Sequence, residues 1–513
     1  MDQEKFTKDS MPTAPESYWR DSVTLPSFEA LKQDIDADVT IVGGGITGIT
    51  TAYLLQKEGL QVVLLEGGEI LNGTTGHTTA KITAQHDIIY DELIGHFGLE
   101  KARTYYVANM EAKEFIENIV KENNIDCDFE EQDAIIYATS DDSMQKLEKE
   151  YRAYERLGIK GEFLDKIPFN ITIQGALAMK NQAQFHPLKY LKHLASSFVE
   201  NGGKIYENTT ADTIEEAAKS KVVTRDGYKV TSDFVLVCSH FPFYDKKGMH
   251  FARLYQERSY LIAVKARDEY PGGMYLSADQ PTRSLRYAKM DGENIVLVGG
   301  EGHKTGHSTD TMKHYQALEN FARQTVGIEE FLYRWSAQDI YTLDKVPYIG
   351  RITSNDPSIL IATGYKKWGM SSSTAAARLL TDLVLKRDNP AQELFSPSRF
   401  DADPDFRKFM SQNMDVAGHF IKGKVEGQSK SLDDLSEGEG AVVKINGKRA
   451  GAYKDEAGEF HIVDTTCTHM KCELEWNNGE HSWDCPCHGS RFSIDGDVLE
   501  GPATKPLDKL NSN

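Results

Sequence analysis

Cysteine is scarce in this 513-residue chain, which contains only six. A small disulfide scaffold needs a far higher density, so that class of protein is excluded. Long runs of lysine and arginine are also missing, and the net charge of −20 argues against a nucleic-acid ligand. Four cysteines fall within residues 467–487, which indicates a ligand set. The other two, Cys127 and Cys238, are expected to be buried small hydrophobes.

The sequence offers no long apolar run. Its most apolar stretch, VTIVGGGITGITTAYLL (39–55), contains four glycines and falls short of a membrane span. The first residues are polar and acidic, without the apolar core of a secretory signal. We therefore expect a cytoplasmic protein with no membrane span. A chain of this length also exceeds the size of one hydrophobic core, so two or three domains are expected.

The front of the chain predicts a nucleotide-binding unit. A buried-strand pattern leads into Gly43, Gly45 and Gly48 in a GxGxxG arrangement, followed by a helix and a second strand that ends at Glu66. The first glycine permits the tight turn, the second allows close approach of a pyrophosphate, and the third allows the helix to pack on the strand. The phosphates would lie at the helix N-terminus, and Glu66 would meet a ribose hydroxyl.

Two further stretches accompany this fingerprint. A threonine-rich loop, GGEILNGTTGHTTAKIT (67–83), follows the second strand. Later, residues 358–385 predict a strand, a turn at Gly364 and a long helix that begins with serines able to cap it. Together these features resemble the FAD-dependent amine and amino-acid oxidoreductases of the D-amino-acid oxidase, glycine oxidase and sarcosine oxidase group, over roughly residues 15–390.

This resemblance implies FAD as a cofactor and assigns residues to it. The threonine-rich loop, with Thr75 and His77, would lie beside the flavin ring. The later stretch ATGYKKWG, with Trp368 and Gly369, would close over the ring, and Gly364 would form its turn.

The resemblance also implies a discontinuous fold. An α/β FAD-binding (Rossmann-like) domain would comprise residues 35–90, 175–240 and 335–390. An α+β substrate domain would be built from residues 91–174 and 241–334. The substrate domain varies freely among proteins of this type, so the substrate cannot be read from the fold.

Two residues are candidates for catalysis. His77, in GTTGHTT, resembles the histidine joined covalently to FAD in sarcosine and dimethylglycine dehydrogenases, although glycine precedes it here instead of tryptophan. A histidine that contacts the flavin or bridges the loop is the alternative. Lys304, in GGEGHKTGH, matches the sarcosine oxidase lysine that stands over the flavin and promotes reaction with oxygen, with a solvated loop lysine as the alternative. Sarcosine oxidases also attach flavin through a cysteine just before a Tyr-Thr pair. In this sequence Asp339 and Ile340 precede Tyr341 and Thr342, so no cysteinyl link is possible at that place.

A carboxylate-bearing substrate would need a cationic partner. Arg283 and Arg286, in TRSLRY, could supply bidentate hydrogen bonds, although an arginine on a strand surface more often serves solvation. Transfer of a hydride from carbon to flavin requires orientation and an un-ionised amine more than a dedicated acid or base.

The clustered cysteines occur together with histidines, in the stretches CTHMKC and CPCHGS. Structural zinc prefers C-x2-C pairs or a Cys2His2 spacing, and this pattern fits poorly. Cys467-x-His469 followed by Cys485-x-x-His488 resembles the Rieske motif. In that motif two cysteines hold one iron of a [2Fe-2S] cluster and two histidines hold the other.

The Rieske resemblance implies a small all-β domain over residues 425–513, joined to the rest by a Pro- and charge-rich linker over 391–424. It also implies a disulfide between Cys472 and Cys487 that ties the two cluster loops together. The stretch GPATKPL (501–507) resembles the proline loop that covers such clusters.

One position departs from the Rieske pattern. Ser490 stands where a serine hydroxyl donates to a bridging sulfide, but Phe492 replaces a tyrosine that often donates to a ligand cysteine. Such hydrogen bonds stabilise the more negative reduced cluster, so losing one lowers the potential. We predict an intermediate potential within the Rieske range of about −150 to +300 mV, and we expect Phe492→Tyr to raise it.

Flavin accepts two electrons as a hydride, whereas a Rieske cluster accepts one electron at a time. Together they predict an oxidoreductase that oxidises the C–N bond of a small amine or amino acid. Its electrons would pass through the cluster to an external acceptor protein or quinone. Two alternatives stay open: electron input from the cluster to the flavin for a reductive or oxygenating reaction, and a non-catalytic redox sensor or electron carrier.

Overall fold

The computed structural model describes residues 10–244, 247–308, 310–399, 430–445 and 447–510. The predicted linker, 391–424, lies outside the described residues from position 400 onward. Within the described ranges, no helix is both long enough and apolar enough to cross a membrane.

A six-stranded sheet surrounds the glycine loop. Its central strands are fully buried, which is typical of parallel strands covered by helices on both faces. Helices Ile46–Lys57 and Gly369–Val384 pack against each other beside the sheet, and Pro187–Glu200 also packs on the first of them. Across the sheet the strand order is Tyr348–Arg351, Ile359–Thr363, Phe234–Val237, Val39–Val42, Val62–Leu65 and Lys204–Tyr206.

A nine-stranded sheet forms the second part of the molecule. The strand Gly175–Gln184 belongs to it, because this strand pairs antiparallel with Glu130–Ala138 and with Gly161–Leu164. Residues 175–240 were expected from sequence in the FAD-binding domain, and the first strand of that range thus pairs with strands from the range expected to form the substrate domain. Along the main path the order is Ile328–Thr342, Leu254–Ala266, Glu293–Lys304, Arg283–Met290, Met274–Ser277, Glu130–Ala138, Gly175–Gln184 and Lys81–Ile82.

The other elements cover these two sheets. Asp141–Leu157 shows how local sequence sets helix ends: the Ser140 hydroxyl accepts from the Ser143 N–H, and Gly158 closes the helix in the left-handed region at φ +74°. Among the described residues the remaining helices are Tyr18–Asp21, Tyr90–Phe97, Leu99–Glu122, His250–Arg253, Met312–Thr325 and Gln392–Phe395, with 3-10 turns at Thr74–His77 and Leu432–Asp434. A four-stranded sheet contains Ile35–Asp36, Lys229–Ser232, Ser220–Thr224 and Ala211–Glu215.

The C-terminal domain consists of two small antiparallel sheets. Trp483 and Phe492 are buried between the strands together with the clustered cysteines, so the core of this domain is built around the cysteine loops. The expected small all-β domain is confirmed. Its sheets are Gly440–Ile445, Lys448–Lys454 and Phe460–Val463, and Glu475–Asn477, Ser482–Asp484, Arg491–Phe492 and Val498–Glu500.

Candidate redox sites

The glycine loop admits no larger residue at two positions. A Cβ on Gly43, which has φ +112°, would lie 2.4 Å from the Cys238 carbonyl oxygen. A Cβ on Gly48 would lie 1.9 Å from the Gly43 carbonyl oxygen. Gly45 directly precedes helix Ile46–Lys57. Because glycine has no side chain, an anion can approach the N-terminus of this helix closely.

Glu66 is held at the end of its strand by two backbone groups. One carboxylate oxygen accepts from the Gly44 N–H at 2.7 Å, and the other accepts from the Gly68 N–H at 2.9 Å. Burial raises the pKa of Glu66, although these hydrogen bonds act to lower it. A carboxylate has about four lone-pair sites, so acceptor capacity remains for ribose hydroxyls.

A cavity of about 960 Å³ lies between the glycine loop and the nine-stranded sheet. This volume is at the upper end for ligand sites in proteins. Of the cofactor residues expected from sequence, the cavity wall includes Gly43, Gly45, Glu66, Thr75, His77, Trp368 and Gly369.

The threonine-rich loop is tied to both sides of this cavity. The Ile46 N–H donates to the Thr75 hydroxyl at 3.2 Å, which joins the loop to the start of the helix. The Trp335 indole donates to the His77 carbonyl oxygen at 2.9 Å, which joins it to the large sheet. His77 Nδ1 lies 2.9 Å from the Gly73 carbonyl oxygen, and burial lowers the pKa of the imidazole. A covalent bond from His77 to FAD stays a prediction.

The segment after the last FAD-sheet strand turns sharply. Gly364 has φ +82°, and a Cβ there would lie 2.5 Å from Thr342 Cγ2, so it shapes the turn without lining the cavity. Trp368 follows and stacks on the buried His86, with ring centroids 5.0 Å apart. The stacking fixes the indole at the cavity wall.

Three residues proposed from sequence lie away from the cavity. Lys304 ends strand Glu293–Lys304 and is not among the described residues that line the cavity, so its catalytic role stays a prediction. Arg283 pairs with Glu301 at 2.5 Å. Arg286 is buried and donates to the Ala80 carbonyl oxygen at 2.6 Å. Neither arginine lines the cavity, and both guanidinium groups are occupied within the protein.

Sequence reasoning missed several charged residues of the cavity wall. Glu257 and Asp339 stand directly opposite each other on neighbouring antiparallel strands. Burial raises the pKa of Asp339 to about 7. Burial lowers the pKa of Lys81 to about 7 and that of Lys366 to about 8. Lys81 and Lys366 lie in the two stretches expected beside the flavin, although their charges were not assigned a role there. Glu257 and Asp339 carry no local motif, because strand pairing and not their spacing brings them together.

The predicted cluster ligands of the C-terminal domain form one cysteine pair and one histidine pair. Cys467 and Cys485 are buried, and a hydrogen bond between their thiols lowers the pKa of Cys467 to about 7. The rings of His469 and His488 lie 5.2 Å apart between centroids. In both rings Nδ1 is buried and has no hydrogen-bond partner among the described residues. Two thiols and two unpartnered imidazole nitrogens are the donor set of a Rieske cluster.

The second pair of cysteines joins the two cluster loops. Cys472 and Cys487 form a disulfide with an S–S distance of 2.10 Å, so the expected pairing is confirmed. The Ala503 N–H donates to the Ser490 hydroxyl at 3.0 Å, which brings the proline loop against the cluster loop. Phe492 is fully buried in the same core.

The histidine side of these loops faces the rest of the protein. The ring of His469 lies 6.5 Å from that of Phe241, and the ring of His488 lies 6.1 Å from that of Phe251. Phe241 also lines the large cavity. The two candidate redox sites are therefore neighbours.

The fold and the two sites define a flavin- and iron–sulfur-dependent oxidoreductase. The chain belongs to the FAD-dependent oxidoreductase family, whose model matches residues 38–383, and it carries a Rieske [2Fe-2S] domain at residues 427–511. It therefore binds FAD and a [2Fe-2S] cluster, and the expected fold class and cofactors are confirmed.

Three known proteins illustrate the relationship. YhfW of Bacillus subtilis (strain 168), provisionally named a Rieske 2Fe-2S iron-sulfur protein, is 53% identical over 498 residues, covering 97% of this chain and 98% of that protein. Gamma-glutamylputrescine oxidoreductase of Escherichia coli (strain K12) is 27% identical over 375 residues, covering 70% of this chain and 85% of that protein. The crystal structure of glycine oxidase from Geobacillus kaustophilus matches with a TM-score of 0.61 at 19% identity, covering 71% of this chain and 99% of that protein. This match shows that the two proteins share a fold.

Proposed function

We propose that this protein oxidises the C–N bond of a small amine or amino acid and passes the electrons through its Rieske cluster to an external one-electron acceptor. The observation that carries the proposal is the shared cavity, because residues of the Rieske domain line the same space as the FAD-binding loops. FAD, when bound there, supplies a two-electron acceptor for a hydride. The chain's own residues bind the substrate, orient it and manage its proton.

Glu257 and Asp339 provide the negative charge that an amine would meet. Glu257 and Asp339 stand at directly opposed cross-strand positions, and burial together with repulsion from the Glu257 carboxylate raises the pKa of Asp339. Burial raises the pKa of Asp339 to about 7, which suits proton exchange near neutral pH. We infer that the pair attracts the substrate ammonium group and accepts its proton, which leaves the un-ionised amine in place for oxidation.

Lysines supply the positive charge that a substrate carboxylate would need. Lys366 and Lys367 both line the cavity. Lys367 Nζ and a carboxylate oxygen of Glu257 lie 2.7 and 3.7 Å from the position that a Cβ on Gly302 would occupy. Opposite charges therefore stand close together in the cavity wall, an arrangement suited to the two ends of an amino acid. The similarity to gamma-glutamylputrescine oxidoreductase also supports an amine substrate.

An anaerobic titration tests this function. The purified protein is mixed with glycine, sarcosine, proline, putrescine and gamma-glutamylputrescine in turn, and flavin absorbance and the electron paramagnetic resonance signal of the reduced cluster are followed together. We expect at least one compound to bleach the flavin and then produce the cluster signal. A cluster that dithionite reduces but that no amine affects would contradict the proposal and favour electron input through the cluster or a sensing role.

Matched variants connect the result to the carboxylate pair. Asp339→Asn keeps the size of the side chain but cannot accept a proton, so we expect flavin reduction by the active compound to slow by about 10²-fold or more. Asp268→Asn changes an exposed carboxylate beyond the end of strand Leu254–Ala266 and should leave the rate unchanged. Equal rates in all three proteins would remove Asp339 from the mechanism.

A further inference from the structure

One short segment of the Rieske domain lies between the two cofactor sites. Residues 498–504, here named the wall segment, all line the FAD cavity. The same segment contacts the cluster loop, because the Ala503 N–H donates to the Ser490 hydroxyl at 3.0 Å. Pro502 and Ala503 are buried between the two sites. The wall segment is thus part of both the FAD cavity and the surroundings of the cluster loop.

The wall segment reaches the nucleotide end of the cavity. The Thr504 hydroxyl donates to a carboxylate oxygen of Asp212 at 3.4 Å. Asp212 directly follows Thr210 and Ala211, which line the cavity. The Thr210 hydroxyl lies 3.4 Å from the position of a Cβ on Gly67, the residue after Glu66. This end of the segment therefore lies near the carboxylate expected to hold the ribose.

The other end of the wall segment is fixed by a buried ion-pair network. Glu500 pairs with Arg258 of the flavoprotein part at 3.0 Å and with Arg491 of the Rieske domain at 3.0 Å. Arg258 is 0% exposed and also donates to the Ser336 hydroxyl at 2.7 Å. Burial alone would raise the pKa of Glu500, but Arg491 and Arg258 lower it to about 2, so the carboxylate is ionised. One guanidinium from each domain thus holds it in place.

Further polar contacts fix the domain in the same orientation. Arg334 donates to the Gly479 carbonyl oxygen at 2.6 Å, and the Tyr315 hydroxyl donates to Glu480 at 2.6 Å. The Thr311 hydroxyl lies 2.7 Å from the side-chain oxygen of Asn477. These contacts lie on the Rieske hairpin that precedes the second cluster loop, so the domain is held at more than one place.

We propose that the wall segment is a structural part of the FAD site, and that Glu500 is the positioning residue that holds it against the cavity. The Rieske domain then retains the flavin nucleotide in addition to carrying electrons. This inference goes beyond the proposed function, because it depends on FAD binding and not on any substrate. Loss of the docked position opens the cavity along the wall segment and speeds release of FAD.

The test measures FAD release from the full-length protein loaded with both cofactors. The protein is diluted, and the rise of free-flavin fluorescence gives the dissociation rate. Every protein carries His77→Asn, so that a bond to this residue cannot hold the flavin. Glu500→Gln is compared with Glu456→Gln, which alters an exposed carboxylate of the same domain. The visible spectrum of the cluster shows that the Rieske domain remains folded.

We expect Glu500→Gln to raise the dissociation rate about tenfold or more, with Glu456→Gln unchanged. FAD release at the unaltered rate, with the cluster spectrum intact, would overturn the proposal. Glu500→Gln also leaves Arg258 buried with a weaker partner and can prevent folding. If that variant does not fold, the FAD dissociation rate of Thr504→Ala tests the proposal instead, since this substitution removes only the contact with Asp212. Faster release then supports the proposal, and unchanged release overturns it.

Discussion

The side-chain amide of Gln338 donates to the carbonyl oxygen of Gly489, 2.9 Å away and one residue after the proposed cluster ligand His488. The backbone carbonyl of the same glutamine accepts from the Thr74 hydroxyl at 3.0 Å, in the loop expected beside the flavin ring. The Thr305 hydroxyl donates to the side-chain oxygen of Gln338 at 2.8 Å. One residue of the large sheet therefore joins a flavin loop to a cluster loop.

Gln338→Ala tests this connection. The substitution removes both side-chain hydrogen bonds and leaves the Gly489 carbonyl without this donor, so we expect the protein to lose about 1–3 kcal/mol of stability. Thermal unfolding followed by visible circular dichroism of the cluster measures the change. Gln392→Ala, at an exposed position on a short helix, is the matched control. Equal losses in both variants would show that Gln338 makes no specific contribution.

Glu66→Gln is expected to weaken FAD binding. A glutamine side chain has one oxygen and no charge, and the Gly44 and Gly68 N–H groups already compete for that oxygen, so it offers a ribose hydroxyl a weaker acceptor than Glu66 does. A hydrogen bond to a charged group contributes about 1.5 kcal/mol, which corresponds to roughly tenfold in affinity. Titration of apoprotein with FAD, followed by flavin fluorescence, measures the effect. Glu29→Gln, at an exposed site paired with Lys32, should bind FAD as the wild type does.

His469→Ala and His488→Ala are expected to abolish the Rieske signal. Each removes one of the two unpartnered buried imidazole nitrogens proposed to hold iron. Flavin absorbance should remain, since neither ring lines the FAD cavity. Electron paramagnetic resonance of the dithionite-reduced protein gives the result. His481→Ala alters a histidine that stacks on Trp476, outside the proposed ligand set, and a normal cluster signal is expected there. A full signal in His488→Ala would rule out this ligand assignment.

Phe492→Tyr is expected to raise the cluster potential. Phe492 is fully buried in the core that contains Cys485, so a hydroxyl added there is shielded from water and is expected to donate to a ligand sulfur. A hydrogen bond of about 1.5 kcal/mol to the reduced cluster corresponds to roughly 60 mV for one electron. A redox titration monitored by circular dichroism measures the shift. An unchanged or lower potential would show that the new hydroxyl does not donate to the cluster.

Lys81 is expected to make apoprotein stability depend on pH. Burial lowers its pKa to about 7 in the folded protein, whereas an unfolded lysine titrates near 10.4. Between these values the unfolded chain binds more protons, so the stability cost of Lys81 is full below pH 7 and disappears as the pH rises towards 10. Lys81→Met should therefore be more stable than the wild type at pH 7, by on the order of 4 kcal/mol. It should lose this advantage near pH 10, where the neutral Lys81 amine still donates to the Tyr275 carbonyl oxygen.

Urea unfolding of apoprotein at pH 7, 8.5 and 10 measures this difference. Lys32→Met, at an exposed lysine, should show no pH-dependent difference from the wild type. A constant difference between Lys81→Met and the wild type at all three pH values would mean that Lys81 does not titrate in this range.

Local motifs predicted both cofactors, because each depends on residues close together in sequence. Gly48 is required by a contact with Gly43 in the same turn, and Cys485 and His488 lie in one loop. Such short-range constraints leave a clear residue pattern. The FAD-binding loops and the cluster loops can therefore be recognised from the amino-acid sequence alone.

Long-range pairing left no such pattern. Gly175–Gln184 joins the large sheet because its partner is Glu130–Ala138, a choice that neither strand's own sequence specifies. Glu257 and Asp339 face each other only through the register of two long strands. Arg286 resembled a substrate-binding residue, yet it donates to backbone carbonyls in the interior. The contacts between the Rieske domain and the flavoprotein part could likewise not be predicted from the sequence, because they join residues far apart in the chain.

The wall segment is synthesised later than the FAD-binding sheet that it covers. The six-stranded sheet is complete once residue 363 has been made, whereas residues 498–504 emerge much later. Domains generally fold from the N-terminus during synthesis. FAD can therefore enter a site that is still open, and folding of the iron–sulfur domain then closes it. Under this proposal, protein whose iron–sulfur domain has not docked loses its flavin, so assembly of one redox site governs retention of the cofactor of the other.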